Sequence, residues 1–129
     1  MTGAVAPGSL DAGIEGFRSQ KGNVMACLTT HPENFPNCQN DPEARRMTVP
    51  TRMAGELKFD NLPSGTYALA LIHDENGNGK LDTMMGIPKE GFGFSKNPVI
   101  RFGPPSFRSA QVVITNNGVA ETVKVKYLL

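Results

Sequence analysis

The strongest indication of the fold is a sharp corner that leads into an apolar strand, Leu62-Pro63-Ser64-Gly65-Thr66-Tyr67-Ala68-Leu69-Ala70-Leu71-Ile72. Pro63 fixes the φ angle that the turn needs, and Gly65 occupies a position where a Cβ atom is disfavoured. After the corner, residues 66–72 carry apolar side chains at odd and even positions alike, so both faces of the strand are apolar. Such a strand is typical of the centre of a β-sandwich.

The rest of the chain also favours strands over helices. It contains 14 glycines and 10 prolines spread along its length, and no apolar pattern at helical spacing lasts beyond two turns. We therefore predict an all-β sandwich of about seven antiparallel strands. One long loop, rich in Gly, Pro and Phe, is expected from Gly86 to Pro105.

Two hairpins are predicted, one near each end of the chain. The first joins residues 9–17 to residues 23–29, and the second joins 110–115 to 119–128 through Asn116-Asn117-Gly118. The apolar face of the first strand consists of Leu10, Ala12 and Ile14.

The length and charge of the chain limit the number of domains and the kinds of partner that we expect. A chain of 129 residues has room for one domain, which we place at 9–129 after a processed or cloning-derived tail at 1–8. The 13 Lys and Arg residues nearly balance the 12 Asp and Glu residues, and no basic stripe is present, so we expect no nucleic-acid partner. No apolar run approaches the roughly 20 residues that a membrane span needs. We expect a monomer without a membrane span.

The two cysteines, Cys27 and Cys38, enclose a short loop that contains Pro and Asn residues. A disulfide that closes so short a loop contributes about 2 to 3 kcal/mol by restricting the unfolded chain. The alternative is a pair of unrelated thiols in a reducing compartment. A zinc site is not expected, because no further Cys is present to complete it. We predict the disulfide.

The most specific chemical motif is an acidic loop, His73-Asp74-Glu75-Asn76-Gly77-Asn78-Gly79-Lys80-Leu81-Asp82. Oxygen-bearing side chains at alternate positions, followed by a Gly and a backbone carbonyl, match the first nine positions of a calcium loop. The predicted ligands are Asp74, Asn76, Asn78, the Lys80 carbonyl and Asp82.

The twelfth position of this loop is Met85, which cannot supply the usual bidentate carboxylate. Glu90 is the preferred replacement and Glu75 the second choice. The alternative is a loop without metal, in which Asn and Asp side chains bond the backbone and Gly77 and Gly79 adopt positive φ. We predict a structural calcium site.

Two other interpretations use neighbouring residues. Phe92 and Phe94 offer an aromatic platform for a sugar ring or peptide without metal, although loop aromatics more often plug the end of a sandwich. A remote alternative is a small hydrolase with His73, Asp74 and Glu90 as acid-base groups. We expect no enzymatic activity, since no nucleophile motif is present.

Three stretches carry a family resemblance: residues 59–68, residues 73–82, and Leu81-Asp82-Thr83-Met84-Met85-Gly86-Ile87-Pro88-Lys89-Glu90-Gly91-Phe92-Gly93-Phe94-Ser95. With them the chain resembles the bacterial domain of unknown function 2141. The resemblance implies a periplasmic or extracellular protein made with a signal peptide, whose basic start and apolar centre residues 1–8 do not show.

The corner at 62–67 is similar to that of prealbumin-like sandwiches, such as carboxypeptidase regulatory-like domains, which implies a prealbumin-like or immunoglobulin-like fold. It also implies an accessory role with a protein or glycan partner. The related transthyretin-like hydrolase ends in a Tyr-Arg-Gly-Ser motif that this chain lacks, so its activity is not carried over.

Overall fold

The computed structural model describes residues 7–38, 41–79, 83–84, 87–100 and 103–128. These residues are all-β apart from two 3-10 turns, at Pro32–Asn34 and Thr51–Met53, and the short helix α1 (Phe107–Ala110). The strands are β1 (Gly8–Glu15), β2 (Asn23–Thr29), β3 (Arg45–Pro50), β4 (Glu56–Leu62), β5 (Gly65–Asp74), β6 (Thr83–Met84), β7 (Ile87–Pro88), β8 (Gly91–Phe94), β9 (Gln111–Ile114) and β10 (Gly118–Lys124). None of the described helices is long and apolar enough to cross a bilayer.

The strands form two main sheets that share one core. The first has the order β10-β1-β4, and the second has the order β3-β2-β5-β8 with β9 also paired to β5. β6 and β7 form a separate two-stranded ribbon. Buried side chains of both main sheets join one apolar cluster, so the arrangement is sandwich-like. The expectation of a purely antiparallel fold is wrong at one place, because β1 runs parallel to β10.

Both predicted hairpins are wrong in their pairing, although their strands exist. β1 and β2 lie in different main sheets, and so do β9 and β10. The inward side chains of β1 and β2 meet across the core instead of lying side by side in one layer. The predicted face of β1 is confirmed, since Leu10, Ala12 and Ile14 are all buried.

Strand β5 is the centre of the second sheet, as its apolar sequence predicts. It pairs with β2 along one edge and with β8 and β9 along the other. Tyr67, Leu69 and Leu71 face the main core. On the opposite face, Ala68 and Ala70 lie under a second cluster that includes Phe92 and Phe94.

The predicted loop from Gly86 to Pro105 contains structured strands, including β8 with the sequence Gly91-Phe92-Gly93-Phe94. The two phenylalanines face outward over β5, and the two glycines face the C-terminal segment of the chain. A Cβ at Gly91 would collide with Tyr127, and one at Gly93 would lie 2.6 Å from Val123. The glycines therefore let the C-terminal segment approach β8 closely, as the backbone bonds between Phe92 and Lys126 show.

Ser95 closes the gap between β8 and β9 on the edge of β5. β9 pairs with residues 65–68 and β8 with residues 70–73, which leaves Leu69 between them. The Ser95 amide donates to the Leu69 carbonyl at 3.0 Å, and the Leu69 amide donates to Ser95 Oγ at 3.0 Å. The same hydroxyl donates to the Ala110 carbonyl at 2.5 Å. One buried side chain thus continues the hydrogen-bonded edge.

Replacement of this hydroxyl should be costly. We expect Ser95→Ala to lower the free energy of unfolding by about 1 to 3 kcal/mol, because it leaves a buried amide and a buried carbonyl without their partner. Urea denaturation measures the change. Ser109→Ala is the control: it removes an exposed hydroxyl that bonds the Ser106 carbonyl, and should shift stability by less than about 0.5 kcal/mol. Equal losses in the two variants would contradict the role of Ser95.

Candidate metal centre

The last two residues of β5, His73 and Asp74, point to opposite faces of the sheet. His73 faces inward and is completely buried. Its Nε2 lies 2.8 Å from the Lys21 carbonyl and its Nδ1 lies 2.7 Å from the Tyr127 hydroxyl. Since a carbonyl only accepts, Nε2 donates to Lys21, whereas the Tyr127 hydroxyl can either donate to Nδ1 or accept from it. Both nitrogens are occupied in the interior, an arrangement that does not favour His73 as a general base.

Asp74 faces outward but is also buried, with 1% of its surface exposed. Its Oδ2 accepts a hydrogen bond from the Gly79 amide at 2.7 Å, and its backbone carbonyl accepts one from the Gly77 amide at 3.2 Å. Its Oδ1 is buried and has no hydrogen-bond partner among the described residues. Buried carboxylate oxygens are normally hydrogen-bonded or bound to a metal, so this atom requires an explanation.

Glu90 directly precedes β8, the strand that pairs with the end of β5. The antiparallel register of β5 and β8 pairs Ile72 with Phe92 and His73 with Gly91, so the next positions along the two segments are Asp74 and Glu90. Glu90 is buried, with 4% of its surface exposed. Two buried residues with carboxyl groups therefore follow the last paired positions of β5 and β8.

The loop after β5 has the turn chemistry of the metal-free alternative. Asn76 Oδ1 accepts from the Asn78 amide at 3.2 Å, and Gly77 and Gly79 have φ angles of 67° and 75°. Both asparagines are exposed. The remaining predicted ligands, Lys80 and Asp82, lie outside the described residues. Within the described ranges, no group of three or more His, Cys, Asp or Glu side chains is arranged to hold a metal.

Glu75 turns away from the loop. Its Oε1 accepts from Arg18 at 2.6 and 2.9 Å, and its Oε2 accepts from the Ser19 hydroxyl at 2.8 Å. The Arg18 hydrogen bond, supported by Ser19, holds the pKa of the Glu75 carboxyl below its usual value of 4.5. Glu75 is thus engaged elsewhere, which leaves Glu90 as the carboxylate beside Asp74.

Sequence reasoning missed Arg18, Ser19 and Tyr127 at this end of the molecule. The Arg18 guanidinium lies over the Tyr127 ring at 4.4 Å, and the Arg18 amide donates to the Tyr127 hydroxyl at 3.1 Å. Burial is the main cause that raises the pKa of Tyr127. No local pattern joins residues so far apart in the sequence; only the pairing of the sheets brings them together.

The sequence pattern of a bacterial family matches residues 13–122, which is most of the chain. This family is the domain of unknown function 2141, described as an uncharacterized protein conserved in bacteria. The chain belongs to it. No curated protein and no solved structure gives a significant match. The family resemblance drawn from the sequence is thereby confirmed.

The two phenylalanines of this member of the domain of unknown function 2141 family are largely covered. Phe92 and Phe94 are 8% and 9% exposed and pack on Ala68 and Ala70. Phe35 contacts Phe94 edge-on at 5.8 Å. The cavity that Phe92 and Phe94 help to line is about 10 Å³, the size of one water molecule. An open stacking platform is not formed by these rings, because they cover the outer face of β5.

Cys27 and Cys38 form a disulfide with their Cα atoms 6.5 Å apart. It ties β2 to the segment that carries Phe35. The same region is held by Thr29, whose hydroxyl donates to buried Asp41 at 2.5 Å, and by Arg46, which donates to the Cys38 carbonyl. The disulfide therefore holds the segment that carries Phe35 close to β2.

The Glu75 contact predicts a pH dependence in calcium-free buffer. A lowered pKa in the folded state means that Glu75 contributes stability above pH 4.5, and that this contribution is lost as the pH falls through the folded value. We expect the stability difference between the wild type and Glu75→Gln to shrink over that range. Urea denaturation at a series of pH values measures it. A constant difference across the range would contradict the contact.

Proposed function

We propose that this protein is an exported, non-enzymatic module that binds one structural calcium ion at the outer end of β5. The observation that carries the proposal is the buried Asp74 Oδ1, which has no hydrogen-bond partner in the described part of the chain. Asp74 and buried Glu90 occupy the positions next to the last paired residues of β5 and β8, His73 and Gly91. Two adjacent buried carboxyl groups repel each other when ionised, and a divalent cation between them removes that repulsion.

The chemistry of the loop favours calcium over other ions. The proposed ligands are all oxygen atoms: Asp74, Asn76, Asn78, the Lys80 carbonyl, Asp82 and Glu90. Calcium takes six to eight oxygen ligands in flexible geometry, whereas zinc prefers nitrogen and sulfur. The ion would fasten the end of β5 to the segment that leads into β8. Among the residues that the structure describes, no helix flanks the loop, so the proposed role is structural.

The Cys27–Cys38 bond supports export, because structural disulfides persist in oxidising compartments such as the periplasm or the extracellular space. The two-sheet arrangement agrees with a prealbumin-like sandwich. Sandwiches of this kind serve many functions, so we place the protein among accessory modules with a protein or glycan partner.

Calcium titration of chelator-treated protein tests the proposal. We expect calcium to raise the melting temperature, with a gain of about 1.4 kcal/mol in the free energy of unfolding at tenfold excess over the dissociation constant. Calorimetry should give a dissociation constant in the range of extracellular modules, roughly 10⁻⁴ to 10⁻³ M. Asp74→Asn and Glu90→Gln should each weaken binding strongly.

Asp60→Asn is the matched control, because Asp60 is an exposed carboxylate of β4. It should bind calcium like the wild type. Magnesium at equal concentration should give a smaller stabilisation, since it demands tighter octahedral geometry. If millimolar calcium produces neither heat nor a shift in melting temperature, the proposed function fails.

A further inference from the structure

Arg18 lies outside the acidic loop and joins Glu75 of that loop to Lys89. Its guanidinium donates to Glu75 Oε1 at 2.6 and 2.9 Å and reaches the Lys89 carbonyl at 3.4 Å. Its position over the Tyr127 ring fixes the guanidinium plane. The hydrogen-bonded Glu75 carboxylate raises the pKa of Arg18, and Glu90 contributes to the same rise through its charge. The side chain is thus a permanent cation in contact with Glu75.

The hydrogen bonds of Arg18 place this cation next to the proposed metal site. Glu75 directly follows Asp74 in the sequence, and Lys89 directly precedes Glu90. Arg18 donates to the Glu75 carboxylate and to the Lys89 carbonyl. It is therefore bonded to the sequence neighbour of each of the two carboxyl groups.

We propose that Arg18 is an internal counter-cation of the calcium site, which stabilises the ion-free state and lowers the affinity for calcium. The inference rests on the proposed function and concerns its regulation. Without calcium, the guanidinium offsets part of the repulsion among Asp74, Glu75 and Glu90. With calcium bound, the same guanidinium faces a dication and is repelled by it. Because Arg18 stabilises the empty site more than the occupied one, it must weaken binding by thermodynamic linkage.

This arrangement keeps the fold intact when calcium is scarce. A carboxylate cage that lacks any positive charge would be destabilised by self-repulsion until an ion arrived. The positive charge of Arg18 stabilises the ion-free state. Calcium then fills the site only where it is abundant, as it is outside the cell. The dependence on salt follows, since screening weakens both the attraction and the repulsion.

The test compares calcium affinity and ion-free stability in three variants of the full chain. Arg18→Gln should melt at a lower temperature than the wild type without calcium, yet bind calcium about two- to fivefold more tightly, as expected for a partly exposed charge. Arg18→Lys keeps the charge and should bind calcium like the wild type. Arg45→Gln is the control: Arg45 also donates to backbone carbonyls, those of Asp60 and Asn61, away from the loop.

The outcomes separate this inference from the proposed function. Tighter binding in Arg18→Gln, with a gain that shrinks in high salt, supports the inference. Calcium binding that is unchanged or weaker in Arg18→Gln overturns it while leaving the calcium site standing. An absence of calcium binding in the wild type and in all three variants overturns both. A gain equally large in Arg45→Gln overturns the inference, because it would reflect net charge alone.

Discussion

The central constraint on this structure is that both faces of strand β5 are apolar and must be buried. The main core covers one face, through Tyr67, Leu69 and Leu71. The other face carries the small residues Ala68 and Ala70, on which aromatic rings pack. β8 supplies those rings, and its glycines let the C-terminal segment approach from the inner side. The outer cluster and the closure of the sandwich edge both follow from this one strand.

The same constraint determines where the carboxyl groups lie. Side chains alternate between faces along a strand, and Phe92 and Phe94 lie on the outer face. The same alternation, continued past Gly91, predicts that Glu90 lies on that face too. Asp74 shares the face of Ala70 and Ile72 for the same reason. Burial of the rings therefore favours a meeting of the two carboxyl groups at this end of the sheet. The free energy that apolar burial supplies offsets the electrostatic cost of that meeting, and a bound cation would remove much of it.

The sequence predicts which face of a strand is buried better than it predicts which strands pair with each other. Alternation identified the buried sides of β1 and β5, and the corner at Pro63 and Gly65 located the start of β5. Alternation says which side of a strand is buried, but not which strand lies beside it, and both expected hairpins failed for that reason. Glu90 was predicted as a ligand from its charge alone, and that prediction stays untested, while the contact of Arg18 with Glu75 and Lys89 depends on pairing that no local pattern encodes.

The most direct test of the account is a crystal structure of the protein grown with calcium well above millimolar concentration. We predict an ion about 2.3 to 2.6 Å from Asp74 Oδ1, with a Glu90 carboxylate oxygen in the same coordination shell and Arg18 still bound to Glu75. A water molecule or protein donor bonded to Asp74 Oδ1, with no ion between Asp74 and Glu90, would contradict the account.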